Sequence, residues 1–223
     1  WLARTADATP VFSRLAALSA RLLPERVFVF EHAFLTGVYT FALTGIVVAW
    51  HERERRRNPA RLRSAAVALA ALLIVLHSAA LERLGNLPAS VGGLPVSRYF
   101  HEGVAYQYIL GHMFQPSVFG VFLPLAIYLH LRGRPRAAVL AATTAALFHP
   151  TYLLGALSLD AAFVFVALRR RHHLREATHV ALTAAISLLP ITLYALLTFA
   201  ATTPATQQQA QHLIVASRIP FHA

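Results

Sequence analysis

Apolar residues occur along this chain in runs too long for one face of a soluble helix, and most of these runs stop at a cluster of arginines. The first is "VFVFEHAFLTGVYTFALTGIVVAW" (27–50), which ends on a Trp. It is followed by "SAAVALAALLIVLHSAALE" (64–82), "MFQPSVFGVFLPLAIYLHL" (113–131) and "THVALTAAISLLPITLYALLTF" (178–199), the last with Thr178 as its expected cap. About 18 or more apolar residues suffice to cross a hydrocarbon core of about 30 Å, so the pattern predicts an all-α, polytopic transmembrane helical bundle. Residues 1–26 read differently, as an interfacial amphipathic segment. Thr9-Pro10 starts its helix, Val11, Phe12, Leu15, Leu18, Leu22 and Leu23 fall near one face, and Arg14 and Arg21 lie elsewhere. The transmembrane domain is expected over 27–199 and an external tail over 200–223. Segment 83–103 is a Gly- and Pro-rich loop, with a short interfacial helix after it.

The longest apolar run, Leu140 to Leu168, carries only one charge, Asp160, but is broken by His149-Pro150. Residues 137–148 would rise only about 18 Å as a helix, short of a bilayer core. Proline disfavours helix at the residue before it and removes a backbone donor. A re-entrant or short helical hairpin over 137–168 is therefore expected, with its tip at His149-Pro150. Charge supports the same fold. Segments 51–63, 132–136 and 169–175 hold thirteen of the twenty arginines, whereas 83–103 holds two. A hairpin puts all three rich segments on the cytoplasmic side, as the positive-inside bias requires.

Composition narrows the class further. The chain is 57% hydrophobic and 13% charged, with a net charge of +11. That charge sits in short clusters between apolar runs, unlike a basic face that tracks a nucleic acid, so no nucleic-acid partner is expected. With no cysteine there is neither a disulfide framework nor a thiolate metal site. HExxH, Walker A, GxGxxG and GxSxG motifs are absent, and "HEGVAYQYILGH" (101–112) has the wrong spacing for a zinc helix, so no metal is expected. The chain begins without Met and is read as a fragment.

The ionisable residues of the apolar layers converge on the side opposite the arginines. Glu31 and His32 lie in the outer part of the first span, and His77 and Glu82 in that of the second. His112 opens the third span, and His149 marks the hairpin tip. Arg98, His101 and Glu102 come from the outer loop and Arg218 from the tail. Such groups are costly in lipid and usually face a cavity or one another, which implies a wet pocket on the non-cytoplasmic side. The plain alternatives are snorkelling interface residues at Glu31, His32 and Glu82, interhelical hydrogen bonding at His77, and helix packing at Asp160.

The stretch "VFGVFLPLAIYLHLRGRPRAAVLAATTAALFHPTYLL" (118–154), with its basic turn before a short helix ending in His-Pro, resembles the GT-C superfamily of polytopic membrane glycosyltransferases and its bacterial relatives. "RIPFHA" (218–223) is similar to a later segment of that family, with Phe221 where a His would stand. The likeness covers residues 105–223. It implies a polyprenyl-phosphate sugar donor, transfer at the non-cytoplasmic face of the bacterial inner membrane, and membrane lipids and a lipid-linked sugar as partners. It also implies a catalytic carboxylate in the first external loop, a role that falls to Glu102 or Asp7. His149, Arg98 and Arg218 would meet phosphate, with His77 and His112 as further substrate-binding candidates. The family's acidic loop would lie upstream of Trp1. The competing class is a non-enzymatic accessory or scaffold subunit of a larger membrane complex, contacting pigment or haem through His77, His112 or His149. A transporter is a third class, and no internal repeat supports it.

Overall fold

The computed structural model describes residues 9–22, 27–51, 56–77, 90–91, 94–95, 110, 115–169, 174–199 and 203–213. These residues are almost wholly helical: α1 Pro10–Leu22, α2 Val27–Trp50, α3 Pro59–Leu76, α4 Phe122–Leu131, α5 Pro135–Phe148, α6 Leu153–Arg169, α7 Leu174–Phe199 and α8 Pro204–Leu213. Two short 3-10 segments, Pro116–Val121 and Pro150–Tyr152, lead into α4 and α6, and Ser90–Val91 pairs antiparallel with Leu94–Pro95. Among the described residues four helices are long and apolar enough to cross a membrane: α2, α3, α6 with its 3-10 lead, and α7. The chain is thus a multi-helical membrane protein.

Proline sets several of the boundaries, because its fixed φ suits the first helical turn and its missing N–H is no loss there. It stands at N1 of α1, α3, α5 and α8. At α3 the preceding Asn58 accepts a hydrogen bond from the Arg61 amide at 3.1 Å, a true N-cap. The helix therefore starts five residues before the apolar run expected at 64, taking in Arg61 and Arg63, and closes with His77 as its C-cap. Thr178 is not a cap. It lies inside α7, and its hydroxyl donates to the Leu174 carbonyl at 2.9 Å, a back-bond of the kind Thr makes mid-helix.

Most of the described helices belong to a unit that runs to Leu188; the second unit begins at Leu189 and holds the end of α7 and α8. In the first unit α2 packs on α3 and α4, and α5 packs on α4 and α6. The direction of each helix follows from its contacts. Leu35 and Tyr39 meet the 116–121 segment, whereas Phe41 meets Tyr128, with ring centroids 5.0 Å apart, so α2 and α4 run parallel. Tyr39 meets His77 at 5.3 Å, while Val48 shares a cleft with Leu62, so α3 runs antiparallel to α2. Tyr152 reaches Ser117 and Phe163 stacks on His130, so α6 runs parallel to α4, with α5 antiparallel between them.

Residues 137–168 accordingly form a hairpin that turns at His149-Pro150. Its two arms are unequal. α6 with its 3-10 lead, Pro150–Arg169, is long enough to cross a membrane, whereas α5 has fourteen residues and rises about 21 Å. The short arm is the better buried one: Ala138, Val139, Ala141, Ala142, Thr143, Ala145 and Ala146 are all buried. A helix sheathed by protein is freed from matching the bilayer thickness, which explains its length.

In α1 the residues that pack against the bundle are Phe12, Leu15 and Ser19, while Val11, Leu18 and Leu22 stay exposed. The apolar stripe read from the sequence is thus divided between protein and surroundings.

Candidate functional site

The hairpin tip is built on Pro150. His149, the residue before it, is extended at φ −142° and ψ 112°, ending α5 and opening the 3-10 turn. Its imidazole Nδ1 accepts from the Thr151 amide at 3.3 Å and lies 2.7 Å from the Thr151 hydroxyl. An amide can only donate, so Nδ1 is unprotonated and the neutral ring carries its proton on Nε2. The local turn thereby fixes the tautomer and leaves an N–H donor as the remaining polar atom of a half-buried ring.

The tip is anchored to the lead of α4. Tyr152 donates its hydroxyl to the Ser117 carbonyl at 2.7 Å, which satisfies a backbone acceptor in the buried 3-10 turn. Gly120 makes room for that ring: a Cβ there would lie 2.5 Å from the Tyr152 hydroxyl. One residue before the tip, Phe148 stacks on Phe119 with centroids 3.7 Å apart. The His149 and Tyr152 rings meet edge-on at 5.7 Å. The imidazole therefore stands on a rigid aromatic base.

The helix directions put Glu31, His77 and His149 at one end of the first unit, and Arg61, Arg63, Arg132, Arg134, Arg136 and Arg169 at the other. His77 caps α3 beside the Tyr39 ring. Glu31 accepts a 2.6 Å hydrogen bond from Ser19 of α1 through Oε1, while its buried Oε2 has no hydrogen-bond partner. Of the carboxylates among the described residues, Glu31 is the one at the tip end; Glu176 starts α7 and Asp160 lies within α6. Asp160 is 3% exposed, and neither of its oxygens has a hydrogen-bond partner.

Of the residues singled out from the sequence, the structure thus places His77 and His149 at the same end of the bundle, on different elements. Glu102, Asp7, Arg98, Arg218 and His112 lie outside the described residues. Glu31 belongs to the ionisable groups expected to converge in the outer half, with a snorkelling interface residue as the plain alternative, and its bond to Ser19 gives it a fixed position there. Its signal was the pairing of a carboxylate with a histidine, Glu31-His32, inside an apolar run. Among the described residues no three His, Asp or Glu side chains converge as a metal-binding group. No family model matches this chain, and neither a curated protein nor a solved structure was found similar to it.

Proposed function

We propose that this chain is a GT-C-type membrane glycosyltransferase of the bacterial inner membrane, binding the phosphate of a polyprenyl-linked sugar at its non-cytoplasmic end. The observation that supports this most is the segregation of polar groups. Arginines gather at one end of the helices, and the fixed imidazole of His149 stands at the other. The positive-inside bias orients the arginine end to the cytoplasm, which exposes the hairpin tip to the opposite compartment.

In the proposed reaction an acceptor hydroxyl oxygen attacks the anomeric carbon. The bond from that carbon to the phosphate oxygen breaks, and the phosphate leaves with the electron pair. A carboxylate takes the hydroxyl proton, a role for Glu102 or Asp7 by family resemblance and for Glu31 by its position. The Nε2–H of His149 donates to a phosphate oxygen whose negative charge grows as the bond breaks, together with the guanidinium groups of Arg98 and Arg218.

Mass spectrometry of lipids retained by the chain after purification from bacterial membranes tests the proposal. Polyprenyl phosphate is expected with the wild type, reduced about ten-fold in His149→Ala, the scale of one hydrogen bond to a charged group. A wild-type preparation free of polyprenyl lipid that also transfers no sugar when donor is supplied sinks it.

A further inference from the structure

From the level of Gly37 toward the arginine-rich end, α2, α3 and α4 border an open apolar cleft of about 420 Å³ that no part of the proposed transfer uses. Glycines and an alanine open it. Gly37 and Ala70 line it, and a Cβ added at Gly37 would meet nothing within 4 Å. Gly45 lines it too, and lets the Tyr128 ring lie across the helix. A second cleft, of about 330 Å³ and lined by Pro59, Leu62 and Arg63, shares Val48 with the first. The two form one groove along α2, with Arg63 and Arg132 at its arginine-rich mouth.

Small residues between membrane helices commonly let the helices close on each other. Here they leave space instead. Thr40 and Thr44, one turn apart on α2, both line the cavity. Thr40 is 7% exposed, and neither Oγ1 has a hydrogen-bond partner. A mid-helix threonine ordinarily satisfies its hydroxyl on the preceding turn, as Thr36 does on His32 at 2.9 Å. Both oxygens are fully buried, so the groove meets these threonines through their carbon atoms and stays apolar.

We infer that this groove holds one anionic glycerophospholipid. Its phosphate sits between Arg63 and Arg132, where a planar guanidinium fork matches phosphate oxygens. One acyl chain passes Gly37 and Ile74. The charge at the mouth selects the headgroup, because basic pockets between helices at the arginine-rich membrane face attract anionic lipid. A second protein helix would cover the glycines but would leave both arginines to be matched separately.

Native mass spectrometry of the full chain, taken from vesicles of equal parts phosphatidylglycerol and phosphatidylethanolamine, tests this. One phosphatidylglycerol is expected to stay bound, and the double variant R63Q/R132Q should retain it about thirty-fold less. G37L fills open space rather than a packed contact, so helicity by circular dichroism should hold while bound lipid of both kinds falls. Equal retention of the two lipids by the wild type overturns the inference. So does unchanged retention in G37L, or a dimer that closes the groove without lipid. His149→Ala should leave this binding intact, which separates the groove from the tip.

Discussion

α5 and α3 are both apolar helices, yet they sit in opposite surroundings. α3 is long enough to cross a bilayer, but only Leu62 is buried in it; Val67, Leu72, Ile74 and Val75 are at least half exposed. α5 is too short for that, and half of its fourteen residues are buried, five of those seven being alanine. Lipid tails are as apolar as leucine, so a large aliphatic side chain gains nothing by leaving lipid for protein. Close helix approach is gained instead by small side chains, which let the backbones of α4 and α6 come against α5. In this chain side-chain size, more than hydropathy, separates the centre of the bundle from its rim.

The sharpest way to break that contrast is to enlarge one alanine in each helix. Ala142 of α5 is fully buried, whereas Ala68 of α3 is exposed. Ala142→Leu should cost about 3 kcal/mol, as overpacking does. Ala68→Leu should stay within about 0.5 kcal/mol. Equilibrium unfolding in mixed micelles reads both, and equal costs would remove the distinction between centre and rim. Gly120→Ala tests the same idea at the hairpin anchor. Its new methyl would displace the Tyr152 ring and break the bond to Ser117. A loss of about 2 kcal/mol is expected, against about 1 kcal/mol for Tyr152→Phe, which removes the bond and keeps the ring.

Asp160 of α6 is the exception on the buried side, a carboxylate without a hydrogen-bonding partner. Buried ionisable groups in membrane helices are expensive. Asp160→Asn keeps the volume and removes the ionisable oxygen pair, so it should raise stability by about 1 kcal/mol. A fall of similar size would mean that the carboxylate has a stabilising role the hydrogen bonds do not account for.

The contrast also explains what could be read from the sequence. The hairpin was legible because Pro150 acts locally on His149, and the 27–50 run because α2 meets its neighbours without interruption. The start of α3 was obscured by the arginines around Asn58-Pro59, where capping chemistry outweighs hydropathy. The split stripe of α1 and the central place of α5 were not legible, since apolar patterning does not distinguish lipid from protein. At the tip, His149 and His77 stood out as titratable groups in apolar runs. The Glu31–Ser19 bond joins two helices, and periodicity carries no trace of it.

The smallest effect falls on a buried polar link that α5 makes to α7. Thr143 is 2% exposed, and its hydroxyl lies 2.9 Å from that of Ser187. Ser187 also reaches the Ala184 carbonyl at 3.3 Å and so has a second partner, while either hydroxyl can donate between the two. That second partner makes the two truncations unequal. Thr143→Val leaves Ser187 its bond to Ala184, and should cost about 0.6 kcal/mol. Ser187→Ala strands a buried hydroxyl on the packed face of α5 and should cost about 1 kcal/mol or more. In the double variant the stranded group is gone, so its cost should fall below the sum of the two by about 0.6 kcal/mol. Additive losses would show that the hydroxyls meet without coupling, and that α5 is held at the centre by its alanines alone.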